Sequence, residues 1–222
     1  MFPIRDTQPS NSRPVITILI IVINVLVFLF EFSLDEYTRN HFISVYGLIP
    51  GRFHLSALFT HMFLHGGWMH IIGNMWFLWI FGDNVEDVMG HGKYLAFYLA
   101  CGVLAGFTQV LFNADSRLPM VGASGAIAGV MGAYLIKFPH ARIVSVVPIF
   151  LFFTTFEIPA VLMLLYWFGI QLFSGFGSIG YSHVSQGGTA WFAHIGGFVA
   201  GMVLVMMLGT RPRYSQRADL NW

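Results

Sequence analysis

Apolar residues in this chain come in long unbroken runs, not in the alternation of a half-exposed strand. Six runs stand out, at 15–32, 68–88, 94–112, 123–138, 159–173 and 190–208. A bilayer core of about 30 Å needs about 20 apolar residues as a helix, and fewer where the helix is shielded or the membrane thinned. Open sheets cannot cross lipid, because their edge groups would go unpaired, so these runs predict six transmembrane helices. The fourth and fifth are short. The stretch 143–153 is also apolar, but Pro148, Glu157 and Pro159 interrupt it before the fifth run. It reads as an interfacial lead-in; the other reading is a single fifth span that starts earlier. The expected fold class is an all-α membrane protein of six helices. Residues 1–14 form a polar N-terminal segment, 15–208 the transmembrane domain and 209–222 a C-terminal tail.

Composition supports lipid as the solvent. Hydrophobic residues make up 56% of the 222 and charged residues only 9%, and mean hydropathy is +0.71. Soluble domains carry about a quarter charged residues. A net charge of +1 gives no basic field for nucleic acid. Cys101 is the only cysteine, so no disulfide can form within one chain. No cleavable leader is expected, since 1–14 is polar and the first apolar run is followed by many others. With six spans both termini share a side with Arg5, Arg13, Lys93, Lys137, Arg142, Arg211, Arg213 and Arg217. The other side receives only Arg39, Arg52 and Arg117, which assigns the termini to the cytoplasm. The expected location is a multi-pass position in the cell (plasma or inner) membrane.

Two loops are informative. In 33–67, Leu55, Leu58, Phe59, Met62 and Phe63 recur at helical spacing, which suits a helix lying in the interface. The stretch 174–189, rich in Gly and Ser, reads as a mobile lid. Glycine pairs four apart occur at Gly102/Gly106, Gly125/Gly129 and Gly197/Gly201, and such pairs let helix backbones approach closely. The fourth and sixth spans are therefore expected to touch.

Packing does not explain the company that Ser124 keeps. Ser124, His194, His70 and Asn74 all lie within roughly 10 Å of the starts of spans four, six and two, on the same side. His70 and Asn74 are four apart and share a helix face. Polar and ionisable groups inside spans are functional by default. A serine needs a base, and His194 is the candidate in the two helices expected to touch. Asn74, His70 and the free backbone N–H of Ser124 can donate to a developing oxyanion. No carboxylate lies at this depth, so a Ser–His dyad fits better than a triad. His61 and His65 are four apart but lack the carboxylate of a metalloprotease helix, and no metal or other cofactor is expected. Glu86 and the cluster Trp76, Phe77 and Trp79 read as structural or interfacial.

With those residues in place, the sequence resembles the rhomboid intramembrane serine proteases. "HGGWMHIIGN" at 65–74, "GDNVED" at 82–87, "GASG" at 122–125 and "AHIGGFVAG" at 193–201 carry the likeness, in that order and at those depths. The resemblance implies Ser124 as nucleophile, His194 as general base, and His70, Asn74 and the Ser124 backbone as the oxyanion hole. It implies that span five and the loop after it gate lateral access; Trp167 and Phe168, carried by that short span ahead of the loop, are the candidate gate residues. It implies transmembrane proteins in the bilayer as substrates. Two positions depart from the family pattern. Many relatives carry Tyr or Phe where this chain has Ala128, so an open or lipid-filled gap beside His194 is expected, with Phe192, Phe198 and Trp191 as alternative fillers. Some carry Trp-Arg where this chain has Ser56 and Ala57, which leaves the anchor of the first loop unassigned. Two other classes stay open: an inactive rhomboid-like protein that binds membrane clients, and a haem or metal carrier using His61, His65, His70 and His194.

Overall fold

The computed structural model describes residues 2–149, 152–179 and 190–210. Eight α-helices appear among them: α1 (Val15–Ser33), α2 (Glu36–Tyr46), α3 (Ala57–Thr60), α4 (Trp68–Met89), α5 (His91–Phe112), α6 (Ser124–Lys137), α7 (Ala160–Ile179) and α8 (Trp191–Met207). Six of these coincide with the six apolar runs. By length and composition α1, α5 and α7 are apolar enough to cross a membrane, whereas α6 and α8 are shorter. The short α6 is the most enclosed helix, with every residue from Gly125 to Leu135 buried. It packs against α4, α5 and α8, while α1 and α7 turn apolar side chains such as Leu26, Phe30, Leu162 and Phe173 outward. The mostly helical bundle, its apolar outer face and its spanning helices make this an integral membrane protein.

The fold is not all-α. Three strands, β1 (Phe2–Asp6), β2 (Arg142–Ile149) and β3 (Phe152–Pro159), form one antiparallel sheet with β2 in the centre. The expected lead-in at 143–153 is thus part of a hairpin. Its run of Ile143, Val144, Val146 and Val147 is β-branched and suits a pleated surface. The polar N-terminal segment supplies the third strand of this sheet. It pairs Phe2 with Val146 and Asp6 with Ile143. It is pinned further where Trp76 Nε1 donates to Pro3 O at 2.6 Å and the Tyr134 hydroxyl donates to Asp6. Of the stretch 174–189 expected to be a lid, 174–179 belong to α7, and 180–189 lie outside the described residues, as do 211–222 of the tail.

Helix α1 has no side-chain cap of its own. Its first free N–H groups are satisfied from α4, where the Glu86 carboxylate accepts from Ile16 N, Thr17 N and Thr17 Oγ1 at 2.7–2.8 Å. Asp87 accepts from Asn11 N and Ser12 N in the segment that leads into α1. Glu86 is therefore structural, as its position suggested.

The first loop holds a helix that its sequence did not announce, α2, capped by Asp35 through Thr38 N. Of its apolar residues, Leu58 and Met62 point inward while Leu55 and Phe59 are exposed. Gly102 and Gly106 make room for this loop: Met62 packs on Gly102, and His61, Leu48 and Leu58 pack on Gly106. In place of Trp-Arg, the loop is anchored by the Leu48–Met120 bridge, by Thr60 Oγ1 donating to Tyr46 O, and by His65 N donating to the buried Glu31.

Candidate functional site

The helices bearing Ser124 and His194 meet backbone to backbone. A methyl group at Gly201 would fall on Gly129 O, one at Gly197 on Gly125 O, and one at Gly132 on Phe198 O. Such contact brings α6 and α8 closer than side chains would allow. It sets Ser124 Oγ 2.8 Å from His194 Nε2. The start of α8 is fixed from a third side by Gln109 of α5, whose Oε1 accepts from Ala193 N at 3.2 Å.

Ser124 is the first residue of α6, and the first intrahelical bond of that helix runs from Ile127 N to Ala123 O. The Ser124 N–H therefore has no partner within the helix. The chain reaches this point through Gly122, whose φ of 120° is costly for any residue with a Cβ. A Cβ there would also stand 2.7 Å from His70 Nε2 and 3.4 Å from Asn74 Nδ2. The glycine thus lets both α4 side chains come close to the serine turn. Gly122 N donates to His61 O at 2.9 Å, so the first loop holds the turn in place.

His70 and Asn74 present donors. Gly66 N–H points to His70 Nδ1 over a long 3.4 Å contact, which leaves the ring proton on Nε2, the atom facing Gly122. Asn74 is buried, and its Nδ2 has no hydrogen-bond partner among the described residues. A buried, unpaired amide donor costs about 1–3 kcal/mol, and this one stands beside the serine turn, free to donate to a bound acceptor. His65 packs edge-on behind His70 with ring centroids 5.2 Å apart. Burial holds His61 down to about 4 and, together with His70, holds His65 down to about 3, so both stay neutral at physiological pH.

The other nitrogen of His194 is also engaged. Its Nδ1 lies 2.7 Å from Gln171 Oε1 on α7, and Gln171 is buried. Sequence spacing does not reveal this residue. It lies 23 positions before His194 on a different helix, and helical periodicity alone could not bring the two together. The expected open gap beside His194 is not there. Ala128 is fully buried, Trp167 lies against the imidazole at 5.6 Å, and Trp191 meets it edge-on at 6.5 Å. Of the two aromatics assigned to a gate, Trp167 touches both His194 and Phe198, while Phe168 stacks on Phe198 at 4.6 Å. The site thus brings together Ser124, His194, His70, Asn74 and, by its rings, Trp167.

The Rhomboid domain profile matches residues 52–211. The chain is 33% identical over 100 residues to the mouse protein "Presenilin-associated rhomboid-like protein, mitochondrial", covering 44% of this chain and 26% of that one. It is 31% identical over 138 residues to "Rhomboid protease GluP" of Bacillus subtilis, covering 59% and 27%. It is 28% identical over 201 residues to "RHOMBOID-like protein 7" of Arabidopsis thaliana, covering 84% and 57%. The matched stretch therefore spans about a quarter to just over half of each relative's length.

Proposed function

Because this chain belongs to the rhomboid family, we propose that it is an intramembrane serine endopeptidase that cleaves transmembrane segments of other membrane proteins. The observation that supports this most is the 2.8 Å approach of Ser124 Oγ to His194 Nε2 on two helices in backbone contact. As Oγ attacks the scissile carbonyl carbon, its proton passes to Nε2. The carbonyl oxygen becomes an oxyanion, which takes hydrogen bonds from the Ser124 N–H, Asn74 Nδ2 and His70 Nε2–H. Collapse breaks the C–N bond, and the proton on Nε2 goes to the leaving amine. Water, deprotonated by the same nitrogen, then releases the acyl group from Ser124.

All six apolar helices span the bilayer in this reading. Lys93 Nζ donates to Gly209 O and Lys137 Nζ to Thr210 Oγ1, which gathers the α4–α5 turn, the end of α6 and the end of α8 at one end of the bundle. That end is the cytoplasmic one by its positive charge, and the Ser124 site opens near the other. Helix α7, with Trp167 and Phe168, acts as the gate for lateral access. A fluorophosphonate probe should label the detergent-solubilised protein at Ser124, and Ser124→Ala should abolish both label and cleavage. Equal labelling of the mutant would refute the assignment. A protein that is not labelled but retains membrane clients would instead be an inactive relative.

A further inference from the structure

Gln171 is buried on α7, in the helix assigned to the gate, yet its side chain faces the catalytic histidine and not the lipid. Its two amide atoms have separate partners. The Nε2 group donates back to Trp167 O, one turn earlier, at 3.3 Å, and Oε1 lies 2.7 Å from His194 Nδ1. With its donor committed to that carbonyl, the amide turns its acceptor to the imidazole. The ring must then present an N–H at Nδ1, which leaves the lone pair on Nε2, 2.8 Å from Ser124 Oγ. Trp167, which supplies the carbonyl, also lays its ring against the same imidazole. One turn of α7 thus fixes both the tautomer and the plane of His194.

We propose that Gln171 is the positioning residue for His194: its side-chain oxygen accepts the Nδ1 proton, so that Nε2 is held as the base that takes the Ser124 proton. This inference rests on the reading of Ser124 and His194 as nucleophile and base. When the proton moves from Oγ to Nε2 and the Oγ–C bond forms, the ring becomes an imidazolium. Its Nδ1–H stays bonded to a neutral amide oxygen, a weaker partner than a carboxylate. The proton then leaves from Nε2 to the amine of the broken peptide bond, and the Nδ1 proton never transfers. Among the described residues the ring nitrogens of His194 meet Gln171 and Ser124, and no carboxylate forms an ion pair with it; His70 of α4 is the other titratable side chain beside the serine turn.

The test uses the full chain in lipid vesicles with one transmembrane substrate. Gln171→Leu, which keeps bulk but removes the acceptor, should lower kcat about 10- to 100-fold with KM held, and should slow fluorophosphonate labelling of Ser124 by a similar factor. Gln171→Glu restores an acceptor and adds a charge. It should recover most of the rate and move the acidic limb of the pH–kcat/KM profile to higher pH, which a purely structural role would not do. Thermal unfolding identifies a variant that is slow merely because it is misfolded, and Gln171→Glu then carries the test through its pH profile. A well-folded Gln171→Leu protein with wild-type kcat and labelling, or a Gln171→Glu profile with an unmoved acidic limb, overturns the proposal. The two failures are distinguishable. If Ser124 of the unmutated protein does not label at all, the protease reading has failed and this one with it. If Ser124 labels normally and Gln171→Leu labels as fast, only the role of Gln171 is lost.

Discussion

Replacing Gly197 with alanine tests how closely the serine and histidine helices must approach. The new methyl would land on Gly125 O, with Gly125 C at 2.9 Å and Ala105 Cβ at 3.4 Å. The main obstacle is backbone, which cannot rotate aside as a side chain can, so the helices must part by roughly 1 Å. Gly125 adjoins Ser124, and Gly197 lies three residues beyond His194, so the shift reaches the dyad with little attenuation. A separation now at 2.8 Å would grow to about 3.8 Å, beyond the roughly 3.2 Å over which a positioned base takes a proton. The expected loss is about 10²-fold in kcat, with KM near its original value, and about 1–3 kcal/mol of stability from overpacking. Turnover of one transmembrane substrate, labelling by a fluorophosphonate and thermal unfolding would be measured side by side. Gly92→Ala serves as control, because nothing lies within 4 Å of a methyl there. A well-folded Gly197→Ala protein that cleaves at the original rate would refute the idea that backbone contact sets the dyad distance.

Three further outcomes are expected. Asn74→Ala should lower kcat by about 10²–10³ while leaving KM nearly unchanged, and a loss under about threefold would return Asn74 to packing. Where substrate admission limits the rate, Phe168→Ala should speed cleavage by loosening α7, whereas Trp167→Ala should slow it by stripping the ring from His194; turnover in the opposite order would refute this division of roles. Burial, and then Asp83, raises the Asp6 carboxyl to about 7, so the folded protein holds a proton there that the unfolded chain releases near 3.8. That stability is fully present below 3.8 and is lost as pH rises through about 7. Asp6→Asn should therefore melt higher than the parent at pH 8, with the gap closing toward pH 4, and a pH-independent gap would contradict it.

The six apolar helices were legible in the sequence because each is a continuous run, and Ser124, His194, His70 and Asn74 were legible because they fall at matched depths. The α6–α8 contact could be read from Gly125, Gly129, Gly197 and Gly201, since glycine at a four-residue spacing has one strong structural use in lipid. What escaped was non-local. β1 pairs with β2 across some 140 positions, so nothing near Phe2–Asp6 announces a strand. The hairpin residues were ambiguous because a short apolar run suits a strand or a buried helix equally. Gln171 escaped for a related reason. A glutamine in an apolar helix signals a partner but does not name it, and only the docking of α7 on α8 does so. Trp167 was expected at a gate, but the face it shares with Gln171 could not be read from the sequence.

Ser124 and His194 ride on helices locked by main-chain contact, whereas Gln171 arrives on one that meets α8 through side chains and shows Leu162, Leu165 and Phe173 to the outside. The site is thus built from a stiff part and a compliant one, and the compliant part turns a broad apolar face to the surrounding lipid. Bilayer thickness and lateral pressure act on α7 first, so they reach the imidazole through its Nδ1 side and leave the serine where it is. Cleavage rate should then vary with acyl-chain length in vesicles of one headgroup, and Gln171→Leu should flatten that dependence; an equally steep dependence in the variant would mean that the lipid acts elsewhere.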